Sequence, residues 1–109
     1  MVEYLVGRTM AADPRSGGSP EAIYAVGLST TRFLLAAGDV VIAWLLLRQA
    51  EVAQAALDAG ATGADKDFYL GKVAAAKFFA RDILPRVHSD RGIITHTDDS
   101  IMSLPESAF

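Results

Sequence analysis

Apolar residues recur along the chain with the period of a helix almost from end to end. Val2, Leu5, Val6 and Met10 fall at near-helical spacing and predict a short helix over residues 1–12. Asp13-Pro14-Arg15-Ser16-Gly17-Gly18 interrupts it, because proline restricts its predecessor and two glycines remove helical preference. Ser19-Pro20-Glu21 starts a second helix: Ser19 is placed to cap it, Pro20 fits the first turn, and Glu21 suits the positive end of the dipole. The pattern then runs to about Asp58, with Gly38 costing about 1 kcal/mol relative to alanine. Gly60-Ala61-Thr62-Gly63 reads as a turn, with Gly60 ending the helix in the left-handed conformation. A third helix resumes near Ala64 or Asp65. Its inward positions are Tyr69, Val73, Ala76, Ala80, Ile83 and Val87, spaced 4-3-4-3-4. Pro85 is expected to kink this helix rather than end it, since the periodicity persists to Val87 and on towards Ile94. A last short turn is expected to be capped by Asp98 or Asp99.

These elements predict an all-α fold. A short turn between two long helices makes an antiparallel hairpin, extended here to a three- or four-helix bundle and completed by another domain or a second chain. Residues 1–18 are read as an N-terminal helix and Pro/Gly/Ser linker, and 19–109 as the helical domain. Pairing outward from the turn sets Trp44 opposite Phe78-Phe79 and brings Asp39 to the Arg81–Arg86 region, where an ion pair with one of those arginines, or with an arginine outside this chain, is expected. Asp82 and Arg86 are a further i,i+4 pair. Ser29, Ala36, Ala43 and Ala50 recur every seven residues and form a small-residue seam suited to close helix packing, with a ligand groove as the functional alternative.

The stretch Phe33–Leu47 is apolar except for Asp39, and raises the question of a membrane span. A span needs about 20 apolar residues, and this run is bounded by Arg32 and Arg48. Asp39 near the bilayer centre would cost ~2.5–3.5 kcal/mol. The buried-helix reading is therefore preferred, with no membrane span. A helix apolar on nearly every side needs neighbours, more than 109 residues readily supply.

The length points to one domain. The alanine-rich composition, 51% hydrophobic, favours helix. A formal net charge of −3 argues against nucleic acid as a partner, and against a small helix-turn-helix regulator with a basic recognition helix. The absence of cysteine rules out disulfides and thiolate chemistry. MVEYLVGRTM does not read as a signal peptide, and a cytoplasmic location is expected. Neither GxxxxGK[ST] nor GxGxxG occurs. His88 and His96 lie eight apart with no carboxylate spacing that makes a metal site, and read as exposed helix-end residues. Ser29, Thr30 and Thr31 have no neighbouring histidine in sequence to activate them. Lys66, Lys72, Lys77, Arg81 and Arg86 make the third helix basic, a solvated face or a seat for an anion such as a phosphate. On these grounds no catalytic, cofactor-binding or metal-binding residue is assigned.

Three stretches together carry a resemblance. They are VGLSTTRFLLAAGDVVIAWLLLRQAEVAQAALDAG (Val26–Gly60), DKDFYLGKVAAAKFFARDILPRV (Asp65–Val87) and DDSIMSLPESAF (Asp98–Phe109). W-L-L-L-R-Q-A, F-Y-x-x-K-x-x-x-A-x-F-F-A followed by L-P, and M-x-L-P-E-x-A-F occur in that order. From about Ala22 onward the chain resembles the C-terminal helical extension of a branch of the acyl-CoA dehydrogenase family, the acetyl-CoA dehydrogenase C-terminal-like domain. The resemblance implies a parent enzyme that uses FAD to oxidise an acyl-CoA thioester between its α and β carbons, a glutamate removing the α proton and flavin N5 accepting hydride. The motifs for flavin and base precede this region in that family. So no cofactor is expected in this chain, and Glu3, Glu21, Glu51 and Glu106 are not assigned as the base. The implied role is packing and subunit assembly, with the parent's catalytic domain as partner and a homo-oligomer as the product. A free-standing helical interaction or membrane-proximal module is the alternative.

Overall fold

The structure is a computed structural model that describes the backbone of residues 1–109 and every side chain except that of Ser16. It is all-α. The helices are α1 (Val2–Ala11), α2 (Ala22–Asp58), α3 (Gly63–Phe78) and α4 (Arg86–Thr95). A π-helical turn, Phe79–Ile83, joins α3 towards α4, and short 3-10 turns occupy Pro14–Ser16, Ser100–Ser103 and Glu106–Ala108. The expected helices are all present, and α2 ends at the expected residue.

Local chemistry explains the boundaries. Asp13 accepts a hydrogen bond from the Arg15 backbone N–H at 2.9 Å, and Gly17 turns the chain with φ 77°. The entry to α2 differs in detail from the expected cap. Ser19 Oγ donates to the Glu21 carboxylate, and the carbonyls of Ser19, Pro20 and Glu21 accept successive i→i+3 bonds before the α-helix begins. The side chain of Ser19 is thus spent on Glu21 instead of on a backbone N–H. Gly60 stops α2 with φ 92°, the left-handed geometry expected of it.

The chain divides into two compact units, Met1–Leu35 with His88–Phe109, and Ala36–Val87. In the first, Leu5, Ala25 and Ile94 are buried carbon. Polar ties surround them: Arg8 to Asp99 at 2.7 Å, Arg32 to Asp90 at 2.8 Å, and a hydrogen bond shared by Ser29 and Thr97 at 3.0 Å. In the second unit the C-terminal part of α2 and α3 form the expected antiparallel hairpin. Lys72 reaches Gln49 at 3.4 Å, and further from the turn Arg86 reaches Asp39.

The inward face of α2 in this second unit runs Ala36, Asp39, Ala43, Leu46, Ala50, Ala53, Leu57, each buried or half-buried. Its spacing is that of one helix face, and its small residues are the expected packing seam. Ser29, at the head of the seam, is buried too, bonded to Thr97.

The inward face of α3 departs from expectation at one point. Tyr69, Val73, Ala76, Ile83 and Val87 are half-buried, but Ala80 is exposed while Phe79 and Leu84 turn inward. A π turn follows, in which Leu84 N–H donates to Phe79 O at 2.8 Å, five residues back. Ile83 and Val87 keep the expected face. The turn sits directly before Pro85, which has no N–H to give and would crowd a regular α-turn. Pro85 therefore breaks the hydrogen-bond ladder locally while the helical course continues to Thr95, as the periodicity implied.

Candidate functional site

Asp39 is the most constrained polar residue of the hairpin. It is only 4% exposed although it lies within the most apolar stretch of the chain. Arg86, the first residue of α4, forks onto it: Nε to Oδ2 at 2.5 Å and Nη2 to Oδ1 at 2.7 Å. The expected pairing is confirmed, with Arg86 as the arginine used. Hydrogen bonding from Arg86 holds the Asp39 carboxyl below its ordinary range; burial pushes the other way and loses, and the charge attraction adds to the lowering. Arg86 is itself about 60% exposed at its side chain, so the pair is a buried carboxylate under a solvated lid. That arrangement suits a structural clasp, because a bidentate arginine occupies the lone pairs a reacting carboxylate would need.

Two open grooves flank the hairpin. One, of about 600 Å³, lies between α2 and α3, with Leu45, Val52, Ala53, Phe68 and Tyr69 as its carbon lining and Arg48, Gln49 and Lys72 as its polar residues. Phe68 and Tyr69 meet edge to face at 5.5 Å, and Lys72 lies over the Phe68 ring at 5.2 Å. The other, of about 460 Å³, holds Trp44 and Leu47 of α2 against Val73, Lys77, Ala80 and Leu84. Trp44 thus faces the residues that bracket Phe78-Phe79, as the pairing outward from the turn implied.

Neither groove has the chemistry a flavin dinucleotide requires. Both are walled chiefly by carbon, and neither is lined by a glycine that could let the backbone approach a diphosphate.

His88 is exposed, and His96 is exposed with Nδ1 2.8 Å from its own helix's Gly92 O. Asp98 accepts from the Ser100 backbone N–H at 2.9 Å, which starts the last turn and holds its carboxyl below the usual range, while Asp99 takes Arg8. The pair expected to cap thus divides between a turn and an ion pair. Thr30, exposed, donates back to Val26 O of its own helix, and buried Ser29 shares its bond with Thr97. Among the described residues, no group of three or more His, Cys, Asp or Glu side chains could hold a metal.

What the structure does present is apolar surface. On α2, Val41, Trp44, Leu45, Leu47 and Val52 are between 47% and 68% exposed, and on α3 Phe68, Leu70 and Phe78 are similarly open. α2 is long and apolar enough to cross a membrane by length and composition alone. Its Asp39, however, is bonded to Arg86 at the start of α4. Sequence reading anticipated this excess without locating it, because every face of α2 is apolar and only the partner helices reveal which is used.

The acetyl-CoA dehydrogenase C-terminal-like family model matches residues 1–105. The chain is 50% identical over its whole length to the broad-specificity linear acyl-CoA dehydrogenase FadE5 of Mycobacterium tuberculosis, of which it spans 17%. It is 35% identical over 77% of its length to a butyryl-CoA dehydrogenase of Syntrophomonas wolfei, and 32% identical over 81% of its length to the 3-methylmercaptopropionyl-CoA dehydrogenase of Ruegeria pomeroyi, spanning 14% of each. The chain therefore covers less than a fifth of the length of these relatives.

Proposed function

Because the chain belongs to the acetyl-CoA dehydrogenase C-terminal-like family, we propose that it is the non-catalytic C-terminal helical domain of an FAD-dependent acyl-CoA dehydrogenase and serves packing and subunit assembly. The observation that carries this reading is coverage. Half of the residues are identical to one acyl-CoA dehydrogenase across the whole chain, yet that chain is 17% of the enzyme. The grooves and the Asp39–Arg86 clasp agree with it, being built for packing. On this reading the parent removes hydrogens from the α and β carbons of an acyl-CoA thioester, in cytoplasmic fatty-acid oxidation. FAD, held outside these residues, supplies the redox chemistry. Residues 1–18 lead into the domain proper, 19–109, which joins the catalytic domain and contributes to a homo-oligomer.

The test is to purify the polypeptide that carries this chain and assay it against a series of linear acyl-CoA thioesters with an artificial electron acceptor. A flavin spectrum and acyl-CoA-dependent reduction of the acceptor are expected. A protein with no flavin and no acyl-CoA turnover would overturn the reading.

A further inference from the structure

The groove between α2 and α3 is an open, carbon-walled trough with nothing of this chain in it. Leu45 and Val52 form one wall at 47% and 68% exposure, and Phe68 the other at 59%. Ala53, 1% exposed, lies beneath them, covered by the hairpin itself. The rim is cationic: Arg48 and Lys72 are its charged lining residues. Lys72 is held by the Phe68 ring and by Gln49 without a carboxylate, and Arg48 has Glu51 beside it at 2.9 Å. A volume of about 600 Å³ with apolar walls and a basic edge is the shape that takes an amphipathic helix through anchors at i, i+3 or i+4, and i+7.

We propose that this groove seats a helix of the catalytic part of the same polypeptide, one with an apolar stripe and an acidic residue set against Lys72. The proposal rests on the reading of the chain as a C-terminal domain. One observation selects this occupant. The relatives have over four-fifths of their length outside the region matched here, so most of the surface available to the groove is tethered to it. Tethering raises a partner's effective concentration to about the millimolar range, above what a second copy of a soluble protein supplies.

Cysteine accessibility in the full-length enzyme tests this, since residues 1–109 contain no cysteine of their own. Leu45→Cys, Val52→Cys and Phe68→Cys are each labelled with a maleimide, with Asp65→Cys as the exposed control, and the labelled peptides are quantified by mass spectrometry. Labelling at the three groove positions is expected to be at least about tenfold slower than at the control, which corresponds to about 90% occupancy, and independent of protein concentration. Rates equal to the control would overturn the proposal. So would protection lost on dilution to the monomer, which assigns the groove to a second copy, or protection seen only with anionic lipid vesicles. Loss of the parent reading is seen separately, as absence of flavin from the same preparation.

Discussion

At the scale of single residues, Asp39 is where the sequence is most at odds with its surroundings and where the structure resolves the conflict most fully. A carboxylate in an apolar run is tolerable only when paired, and the fork from Arg86 supplies the partner. The sign of the pH dependence follows. The folded carboxyl titrates below its ordinary value near 3.8, so as pH falls the unfolded chain binds the proton first. Stability from the pair is full above about pH 5 and is lost as pH falls through about 4 and then through the lowered folded value. Asp39→Asn is expected to lower the thermal midpoint at neutral pH and to flatten the fall below pH 5. Thermal melts from acid to neutral pH check it, and an unchanged midpoint with an unchanged acid limb would contradict the pairing. Ile94 has no exposed surface. Ile94→Ala is expected to cost about 2–5 kcal/mol in a urea titration, depending on how far the site collapses.

At the scale of elements, two glycines separate conformational need from simple tolerance. Gly60 ends α2 at φ 92° with open space where a Cβ would be, so Gly60→Ala is expected to cost about 1–2 kcal/mol through backbone strain alone. Gly71 lies inside α3, also with open space around a Cβ. Gly71→Ala is expected to stabilise by about 0.5–1 kcal/mol. Denaturant midpoints of the two variants should therefore move in opposite directions. Helix existence was legible in the sequence because periodicity, Pro20, Gly60 and Pro85 are all local signals. The Asp39–Arg86 pair was legible to within a few residues, because a short turn fixes the register of an antiparallel hairpin. The π turn was not, since it answers Pro85 through a bond from Leu84 to Phe79 that no side-chain pattern marks. Ala80, inward in the heptad, is exposed, and Phe79 beside it is half-buried.

At the scale of the whole molecule, the chain has more apolar surface than its own helices cover. Val41, Leu45 and Val52 on α2 stay open beside a carbon-walled groove. Exposed apolar patches of this kind mark interfaces in soluble proteins. The need for a further partner could be read from the all-round apolar pattern of Phe33–Leu47. The surface that takes it could not, because burial depends on which helix face α3 and α4 occupy. The family was legible too, through three spaced motifs, and the family model and the relatives agree with it. No reacting group was legible, while Asp39, Asp98 and Asp99 are engaged in ion pairs and a turn.

On the proposed reading these residues pack and a flavin bound elsewhere reacts. The most direct measurement is the visible spectrum of the purified 109-residue chain after equilibration with FAD and removal of free cofactor. A colourless protein is the expected result. Flavin absorbance at one equivalent per chain would contradict it and place the cofactor among the residues described here.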